Sequence, residues 1–294
     1  MLLIGVDFTG PSLRAGVVEH GVVGTSLAAD ISMDSRPPEI LDIVARLVRS
    51  LVGRPDAVGL AIPGQVNVHG LCWRLPNVPA FEGVAIAEEL SNRLDCPIAV
   101  ENRATAAALA ERLYGHGRVH PSFILVTLGA GVGGGLVIGH QLNPGTNGFG
   151  GEIGHLCVDA SPDAPLCGCG HRGCLEAHLG ARAVLRKFSE LGGQALLLNQ
   201  VVASARRGDF AGVKTLRAVG EALGWGLAFV QNLLDLNAIV LTGPLSVAFD
   251  LLEPAVRDEL RLRSFSPLLA EVPVLCSDLG DTAAVIGAAY LTRL

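Results

Sequence analysis

The 294-residue sequence has few aromatic side chains and little charge. Aromatic residues make up 4% of it and charged residues 17%, while 50% of the residues are hydrophobic. A folded core must therefore be built mainly from Ala, Val, Leu and Ile. The net charge of −6 also lacks the basic excess that drives nonspecific binding to nucleic-acid phosphates.

Two kinds of segment are missing as well. No apolar run approaches the roughly 18 residues that a membrane span needs, and residues 1–7 have no basic region typical of a signal peptide. Four of the 7 cysteines are scattered, without the spacing of a disulfide framework: Cys72, Cys96, Cys157 and Cys276. These features predict a cytoplasmic protein that has no membrane partner.

Glycine is abundant, with 37 residues, as expected of an α/β protein with buried strands and tight turns. Hydrophobic periodicity predicts strands over 2–7, 12–18, 21–26, 57–62 and 97–100, then over 123–128, 134–138, 238–242 and 272–276. Predicted helices cover 37–51, 86–94, 104–114 and 219–234. A hairpin followed by alternating helices and strands thus occurs twice, which predicts a duplicated α/β unit.

The densest motif lies over residues 155–174. His155 is followed by Cys167, Cys169 and Cys174 at C-x-C-x4-C spacing, and glycines between the cysteines allow a tight loop. Three thiolates and one imidazole are the ligands of a structural zinc site. A cluster of ordinary buried cysteines is the alternative, but three within eight residues favour the metal.

Two carboxylates flank this zinc loop. Glu152 and Glu176 are not needed as ligands when one histidine and three cysteines are available. Both can accept hydrogen bonds from a polyhydroxylated ligand such as a sugar.

The letters E-x-G-H, then C-x-C-G-x-x-G-C-x-E, resemble the signature of the ROK family, which groups sugar kinases, sugar-responsive repressors and related open reading frames. Further segments are similar to family motifs: Ala61–Gly64, Leu75–Asn77, Glu101–Asn102, Leu128–Gly135 and Gly287–Ala289. The resemblance implies a two-domain actin/hexokinase-like fold, a duplicated ribonuclease-H-like architecture with an interdomain cleft. Its first domain would span 1–118 and be completed by a helix over 282–294, and its second would span 119–281.

The resemblance also implies ligand contacts. The residues at sugar-binding positions are Asn77, Asn102, Arg103, Glu152, His155 and Glu176. The residues at nucleotide-binding positions are Asp7, Gly10, Gly129, Gly131, Gly133 and Gly243. One ring nitrogen of His155 would bind zinc and leave the other for the ligand.

The nucleotide half departs from the kinase pattern. Where the kinases read D-x-G-G-T, this chain has Thr9 in place of a glycine and Pro11 in place of a threonine, which removes a hydroxyl and a backbone N–H. Ala130 replaces a further threonine, and Pro244 replaces a glycine. These changes predict weak binding of ATP.

Arg103 is the largest departure. The resemblance implies an aspartate here, the general base that accepts a proton from the sugar hydroxyl. A guanidinium cannot do so, because its pKa lies above about 12, and losing a general base costs on the order of 10²–10⁴ in rate. Arg103 would bind a phosphate or carboxylate on the ligand, or it would turn to solvent or pair with Glu101.

Three functions follow as alternatives. The first is a sensing or regulatory protein that binds a sugar, acidic sugar or sugar phosphate, with degraded kinase machinery and a structural zinc. The second is an ATP-dependent sugar kinase of glucokinase type, which would use Mg-ATP. The third is a different sugar-modifying enzyme, with Glu152 and Glu176 as acid and base.

Two expectations concern macromolecular partners. The family's repressors carry a helix-turn-helix domain before the first strand, which here begins at residue 2, so we expect no direct nucleic-acid partner. The family resemblance and the high apolar content predict a homodimer, with the helix over 219–234 as a candidate interface.

Overall fold

The first sheet is mixed, and its strands come from the N-terminal part of the chain. In the computed structural model, which describes residues 2–32, 34–76 and 78–294, the strands are β1 (Leu3–Phe8), β2 (Ser12–Glu19), β3 (Val22–Asp30), β4 (Ala57–Ile62), β5 (Gln65–Val66), β6 (Cys72–Arg74) and β7 (Ile98–Asn102). The helices are α1 (Pro37–Val52), α2 (Ile86–Leu94) and α3 (Arg103–Tyr114). The sheet order is β3-β2-β1-β4-β7, while β5 and β6 form a separate hairpin.

A second sheet repeats this order. Its strands are β8 (Phe123–Leu128), β9 (Val132–Ile138), β10 (Gln141–Leu142), β11 (Ala238–Thr242) and β12 (Val274–Cys276), arranged β10-β9-β8-β11-β12. The α-helices that follow α3 along the chain are α4 (Glu176–Leu179), α5 (Ala181–Glu190), α6 (Leu198–Arg206), α7 (Phe210–Leu234), α8 (Phe249–Arg263), α9 (Pro267–Ala270) and α10 (Ala283–Tyr290).

Both sheets combine an antiparallel meander with two parallel strands. In the first, β1 pairs antiparallel with β2 and parallel with β4, which in turn pairs parallel with β7. In the second, β8 pairs parallel with β11, and β11 pairs parallel with β12. The repeated order confirms the predicted α/β fold with a duplicated ribonuclease-H-like architecture.

Burial explains why the central strands form. Every residue of β1, β4 and β11 is buried, as expected of parallel strands covered on both faces. Helix α1 covers one face with an apolar stripe at helical spacing, which includes Ile40, Val44 and Val48.

Two elements begin well before their predicted starts. Strand β9 begins at Val132 rather than residue 134, because the glycines there continue the strand instead of forming a loop. A Cβ at Gly135 would lie 2.5 Å from the carbonyl oxygen of Ala104, so close packing against α3 requires glycine at this position. Helix α7 begins at Phe210 rather than residue 219, because its first turns are amphipathic and not uniformly apolar.

The chain divides into two compact units. One contains Met1–Pro121, Gly135–Gly151 and Asp278–Leu294, and the other contains Ser122–Gly134 and Glu152–Ser277. We call them unit 1 and unit 2. Among the described residues, no helix has the length and apolar character that crossing a bilayer would demand.

Helix α10 belongs to unit 1, far in sequence from the strands on which it packs. A Cβ at Gly5 would overlap the carbonyl of Val285, and one at Gly59 would overlap that of Ala288. A Cβ at Gly287 would in turn overlap the carbonyl of Ala106 in α3. These glycines let the backbones of β1, β4, α3 and α10 approach more closely than side chains would permit.

Candidate functional site

In unit 1, Arg103 forms an ion pair with Asp7. The Arg103 Nε donates to Asp7 Oδ1 at 2.7 Å, and one terminal nitrogen donates to Asp7 Oδ2 at 3.0 Å. The Asp7 side chain is 3% exposed and that of Arg103 is 38% exposed. Burial disfavours the guanidinium charge, but the hydrogen bonds and charge of Asp7, with a contribution from Asp281, outweigh it and raise the pKa of Arg103.

This pairing differs from the expectation that Arg103 is free to bind an acidic ligand, turns to solvent or pairs with Glu101. Asp7 lies near the carboxyl end of β1, and Arg103 directly follows β7. Because β1, β4 and β7 are parallel, both residues lie at the same edge of the sheet. That common edge is the signal by which sequence reasoning could have found the pair.

Glu101 is occupied locally. Its Oε1 accepts a hydrogen bond from the backbone N–H of Asn102 at 2.6 Å. Burial raises the pKa of Glu101 to about 7, and this hydrogen bond only partly opposes the effect. Burial thus places the pKa of the Glu101 carboxyl group near neutral pH.

Asn102 has a structural role in addition to its predicted sugar contact. Its Oδ1 accepts from the backbone N–H of Ala104 at 2.8 Å and of Thr105 at 3.4 Å, which caps α3. Its Nδ2 donates to the carbonyl of Gly64 at 2.9 Å. These bonds fix the amide, while one N–H remains for a ligand. Asn77, also predicted to contact the sugar, lies outside the described residues.

The turn after β1 is closed on itself. The Thr9 backbone N–H donates to the Ser12 carbonyl at 2.9 Å, and the two hydroxyl oxygens lie 2.8 Å apart. Gly10 has φ 112°, a conformation that favours glycine. Pro11 has no N–H, so this turn offers few donors for a phosphate.

Donors at both ends of the glycine turn between β8 and β9, in unit 2, are used within the protein. Gly129 N–H donates to the Gly131 carbonyl at 3.1 Å, and Gly133 N–H donates to Thr127 Oγ1 at 3.0 Å. Val132 N–H donates to Glu176 Oε2 at 2.9 Å.

Gly243, predicted to bind the nucleotide, packs against β8, the strand that precedes the glycine turn. Its φ is 94°, and a Cβ would lie 2.7 Å from the carbonyl oxygen of Leu128. The carbonyl of Gly243 accepts bonds from the backbone and hydroxyl of Ser246. Pro244 Cδ lies 3.5 Å from the Cβ that Gly129 would carry.

The four predicted zinc ligands converge in unit 2. One ligand atom from each of His155, Cys167, Cys169 and Cys174 lies within 4.8 Å of all the others. The Sγ atoms of Cys169 and Cys174 are 3.6 Å apart, and Cys167 Sγ is 3.7 Å from His155 Nδ1. Tetrahedral bonds of about 2.3 Å to sulfur and about 2.0 Å to nitrogen place such atoms roughly 3.5–3.8 Å apart. The donor set therefore fits zinc.

The thiols of this cluster differ in how readily they ionise. Burial opposes ionisation of Cys169, but hydrogen bonds from His171 and neighbouring thiols lower its pKa to about 6. Burial raises the pKa of Cys167, and raises that of Cys174 to about 12. A divalent cation would supply the charge needed to hold three adjacent thiolates.

Glu152 lies against the other side of the His155 ring. Its Oε2 is 3.7 Å from His155 Nε2, while Nδ1 faces Cys167. A carboxylate beside the second nitrogen of a metal-binding histidine is the usual outer-shell partner. The nitrogen that was predicted to face a ligand therefore lies beside Glu152.

Glu176 connects the zinc cluster to the glycine turn. One carboxylate oxygen accepts from Val132 N–H, and the other lies 3.6 Å from Cys167 Sγ. Each oxygen keeps a second lone pair for a ligand hydroxyl. Sequence reasoning missed these contacts, since no periodicity connects residues 132 and 176.

Known proteins share both the sequence and the fold. The sequence pattern of the ROK family matches residues 3–294. A glucokinase of Streptomyces coelicolor is 32% identical over 314 residues, covering 99% of this chain and 98% of that protein. A xylose repressor of Bacillus subtilis is 26% identical, covering 87% of this chain and 67% of the repressor.

A solved structure agrees. The ROK family glucokinase of Streptomyces griseus, crystallised with glucose and AMPPNP, superposes with a TM-score of 0.86 at 30% identity, covering 100% of this chain and 99% of that one. The match along nearly the whole chain confirms the resemblance carried by the cysteine and glutamate motif. This chain belongs to the ROK family of sugar kinases and sugar-responsive regulators.

Proposed function

We propose that this protein binds a sugar without phosphorylating it and acts as a sugar sensor. The ion pair between Arg103 and Asp7 carries the proposal. The position that the family resemblance assigns to the general base holds a guanidinium, which cannot accept a proton from a hydroxyl. The acidic residue of the first phosphate turn is already neutralised by the same guanidinium.

The glycine turns support the same conclusion. Thr9, Gly129, Val132 and Gly133 use their backbone N–H groups within the protein. Phosphate binding by such turns depends on N–H groups that point at the anion. We therefore expect weak or undetectable binding of Mg-ATP.

The charge of the pair bears on the ligand. Asp7 balances Arg103, so a phosphorylated or acidic sugar finds little net positive charge in this part of unit 1. Two of the five guanidinium N–H groups point at Asp7, which leaves three for uncharged hydroxyls. A neutral sugar is therefore the favoured ligand.

The test combines calorimetry with an assay of ADP release. Glucose, xylose, N-acetylglucosamine, glucuronate and glucose 6-phosphate are titrated into zinc-loaded protein, and each is then incubated with Mg-ATP. We expect binding of a neutral sugar and negligible ADP release. Arg103→Asp should not restore full kinase activity, because the glycine turns remain unchanged. Tight Mg-ATP binding with rapid ADP release on any neutral sugar would overturn the proposal.

A sugar kinase is the second candidate. The similarity to a glucokinase over 99% of this chain favours it. It would require another carboxylate to accept the hydroxyl proton, and Glu101, with a pKa of about 7, is the acidic group whose titration suits that role. ADP release that disappears in Glu101→Gln but persists in Arg103→Met would support the kinase.

We also propose that the protein is a homodimer. Five large apolar side chains at the ends of α7 and α8, in the segment that joins α8 to α9 and in α9 are 47–92% exposed: Phe229, Leu233, Leu262, Phe265 and Leu268. Asn232 joins this apolar patch, since its side chain bonds to the backbones of Arg263 and Phe265. A patch of this kind is typical of a surface covered in an oligomer.

Sedimentation tests the homodimer. The wild type should sediment as a dimer at micromolar concentration, and Phe265→Asp should shift it towards monomer. Val119→Asp changes an apolar residue that is 74% exposed outside the apolar patch, and it should leave the dimer intact. A wild type that is monomeric at this concentration would contradict the proposal.

A further inference from the structure

One of the two tryptophans lies on the surface of unit 1. Trp73, in the hairpin of β5 and β6, is 58% exposed, although aromatic residues make up only 4% of the chain. Its indole contacts the ring of Phe149, which is 37% exposed, with 5.1 Å between the ring centroids. We call Trp73 and Phe149 the aromatic pair. Large exposed aromatic rings that contact each other commonly mark a binding surface.

The aromatic pair is held in place by backbone packing. A Cβ at Gly148 would overlap the carbonyl of Val66, so the loop that carries Phe149 lies directly on the hairpin that carries Trp73. Both rings are therefore presented by segments that close packing constrains, which lowers the entropy cost of ligand binding.

Charged groups border the aromatic pair. Trp73, Arg74 and Glu82 line an open depression of about 410 Å³. Within the described part of the chain, neither the Arg74 guanidinium nor the Glu82 carboxylate forms an ion pair or a side-chain hydrogen bond. A donor and an acceptor beside an aromatic face suit a pyranose ring, whose C–H face stacks while its hydroxyls bond sideways.

The depression is connected to Asn102 through the backbone at Gly64. Asn102 Nδ2 donates to the Gly64 carbonyl. Gly64 packs so closely on Arg74 and Leu75 that a Cβ would overlap the Arg74 carbonyl. Gly64 therefore contacts both the Asn102 side chain and the backbone that follows Trp73, so a single segment separates Asn102 from the depression.

We propose that Trp73, Phe149, Arg74 and Glu82 form a subsite for a further sugar ring, so that the preferred ligand is a disaccharide or glycoside. The inference rests on the proposed sugar binding and adds to it the length of the ligand. One ring is bound at Asn102, and the next stacks on Trp73.

Fluorescence tests the subsite directly. The chain contains two tryptophans. The second, Trp225, is half-buried, and the Arg263 guanidinium lies 3.7 Å from the centre of the Trp225 ring. Trp225→Phe therefore leaves Trp73 as the sole indole reporter. Glucose, xylose, maltose, cellobiose and sucrose are titrated into this variant, and calorimetry measures each affinity in wild type, Trp73→Ala and Trp73→Phe.

We expect a disaccharide to change the Trp73 emission and to bind about tenfold more weakly to Trp73→Ala. Trp73→Phe should retain part of that affinity, because a smaller ring still stacks. Monosaccharide affinity should be unchanged in both variants. If the monosaccharides bind but Trp73 neither responds to a disaccharide nor affects its affinity, the subsite is wrong while sugar binding stands. If neither these five sugars nor N-acetylglucosamine binds to the wild type, both proposals fail.

Discussion

Replacing Arg103 by methionine tests whether the ion pair with Asp7 stabilises the fold. The substitution keeps the length and apolar stem of the side chain and removes the two hydrogen bonds to Asp7. The Asp7 carboxylate, only 3% exposed, is then left without its cation. A buried charge without a partner is costly because the interior solvates it poorly.

The expected loss of stability depends on how exposed the side chains of Asp7 and Arg103 are. Breaking a fully buried pair costs about 3–5 kcal/mol. Arg103 is 38% exposed, so water screens the pair and will hydrate part of the vacated space. We therefore expect the free energy of unfolding to fall by about 2–3 kcal/mol. At about 2–4 °C for each kcal/mol, the melting temperature should fall by roughly 4–12 °C.

Thermal unfolding of zinc-loaded protein measures the change. Arg54→Met is the matched control, because Arg54 pairs with Asp95 at 2.9 Å with both side chains largely exposed, and its loss should have little effect. In the double variant Asp7→Asn with Arg103→Met, no charge is left unpaired. It should regain at least about 1 kcal/mol relative to Arg103→Met alone.

Two results would refute this reasoning. The first is an Arg103→Met protein as stable as the wild type, which would mean that Asp7 does not depend on the guanidinium. The second is strict additivity in the double variant, which would mean that the two side chains do not interact.

Two further predictions concern the zinc loop and Glu101. Elemental analysis of the purified protein should find about one zinc per chain, and Cys174→Ser should lose most of it. Cys157→Ser is the control and should keep the metal, because Cys157 is outside the set of ligands. A wild type with much less than one zinc per chain would contradict this prediction. Burial raises the pKa of Glu101 from 4.5 to about 7, so the folded state binds this proton more tightly than the unfolded state. Its contribution is fully present below about pH 4.5 and is lost as the pH rises through about 7, a loss of about 3 kcal/mol at about 1.4 kcal/mol per pKa unit. In Glu101→Gln, the free energy of unfolding should fall less between these pH values than it does in the wild type. Denaturant unfolding at several pH values measures this, and an equal fall in both proteins would contradict the assignment.

Much of the fold could be predicted from the sequence because the strands are continuous apolar runs bounded by turns. The predicted strand over 57–62 coincides with β4, and the one over 123–128 coincides with β8. Boundaries failed where local pattern and tertiary packing disagree. The glycines at the start of β9 are typical of a loop, but α3 packs so closely there that a strand needs them.

The candidate site divides in the same way. Ligand spacing within one short loop identified the four residues of the metal cluster, which the structure brings together. The partners of Arg103 and Glu176 lie in segments far apart in the chain. The predicted strand order could have brought Arg103 to the same sheet edge as Asp7, but no pattern in the sequence identifies the partner of Glu176. The ion pair with Asp7 joins residues 96 positions apart.

The docking of α10 on β1, β4 and α3 has a consequence for the order in which the protein folds. Synthesis proceeds from the N-terminus, so β1 and β4 leave the ribosome long before the helix that covers their glycines. Until then, Gly5 and Gly59 present bare backbone where Val285 and Ala288 will lie. Unit 2, which ends at Ser277, is completely synthesised before α10 emerges. A released chain that ends at residue 280 would therefore contain all of unit 2, while unit 1 would lack α10 and should be the more sensitive to protease.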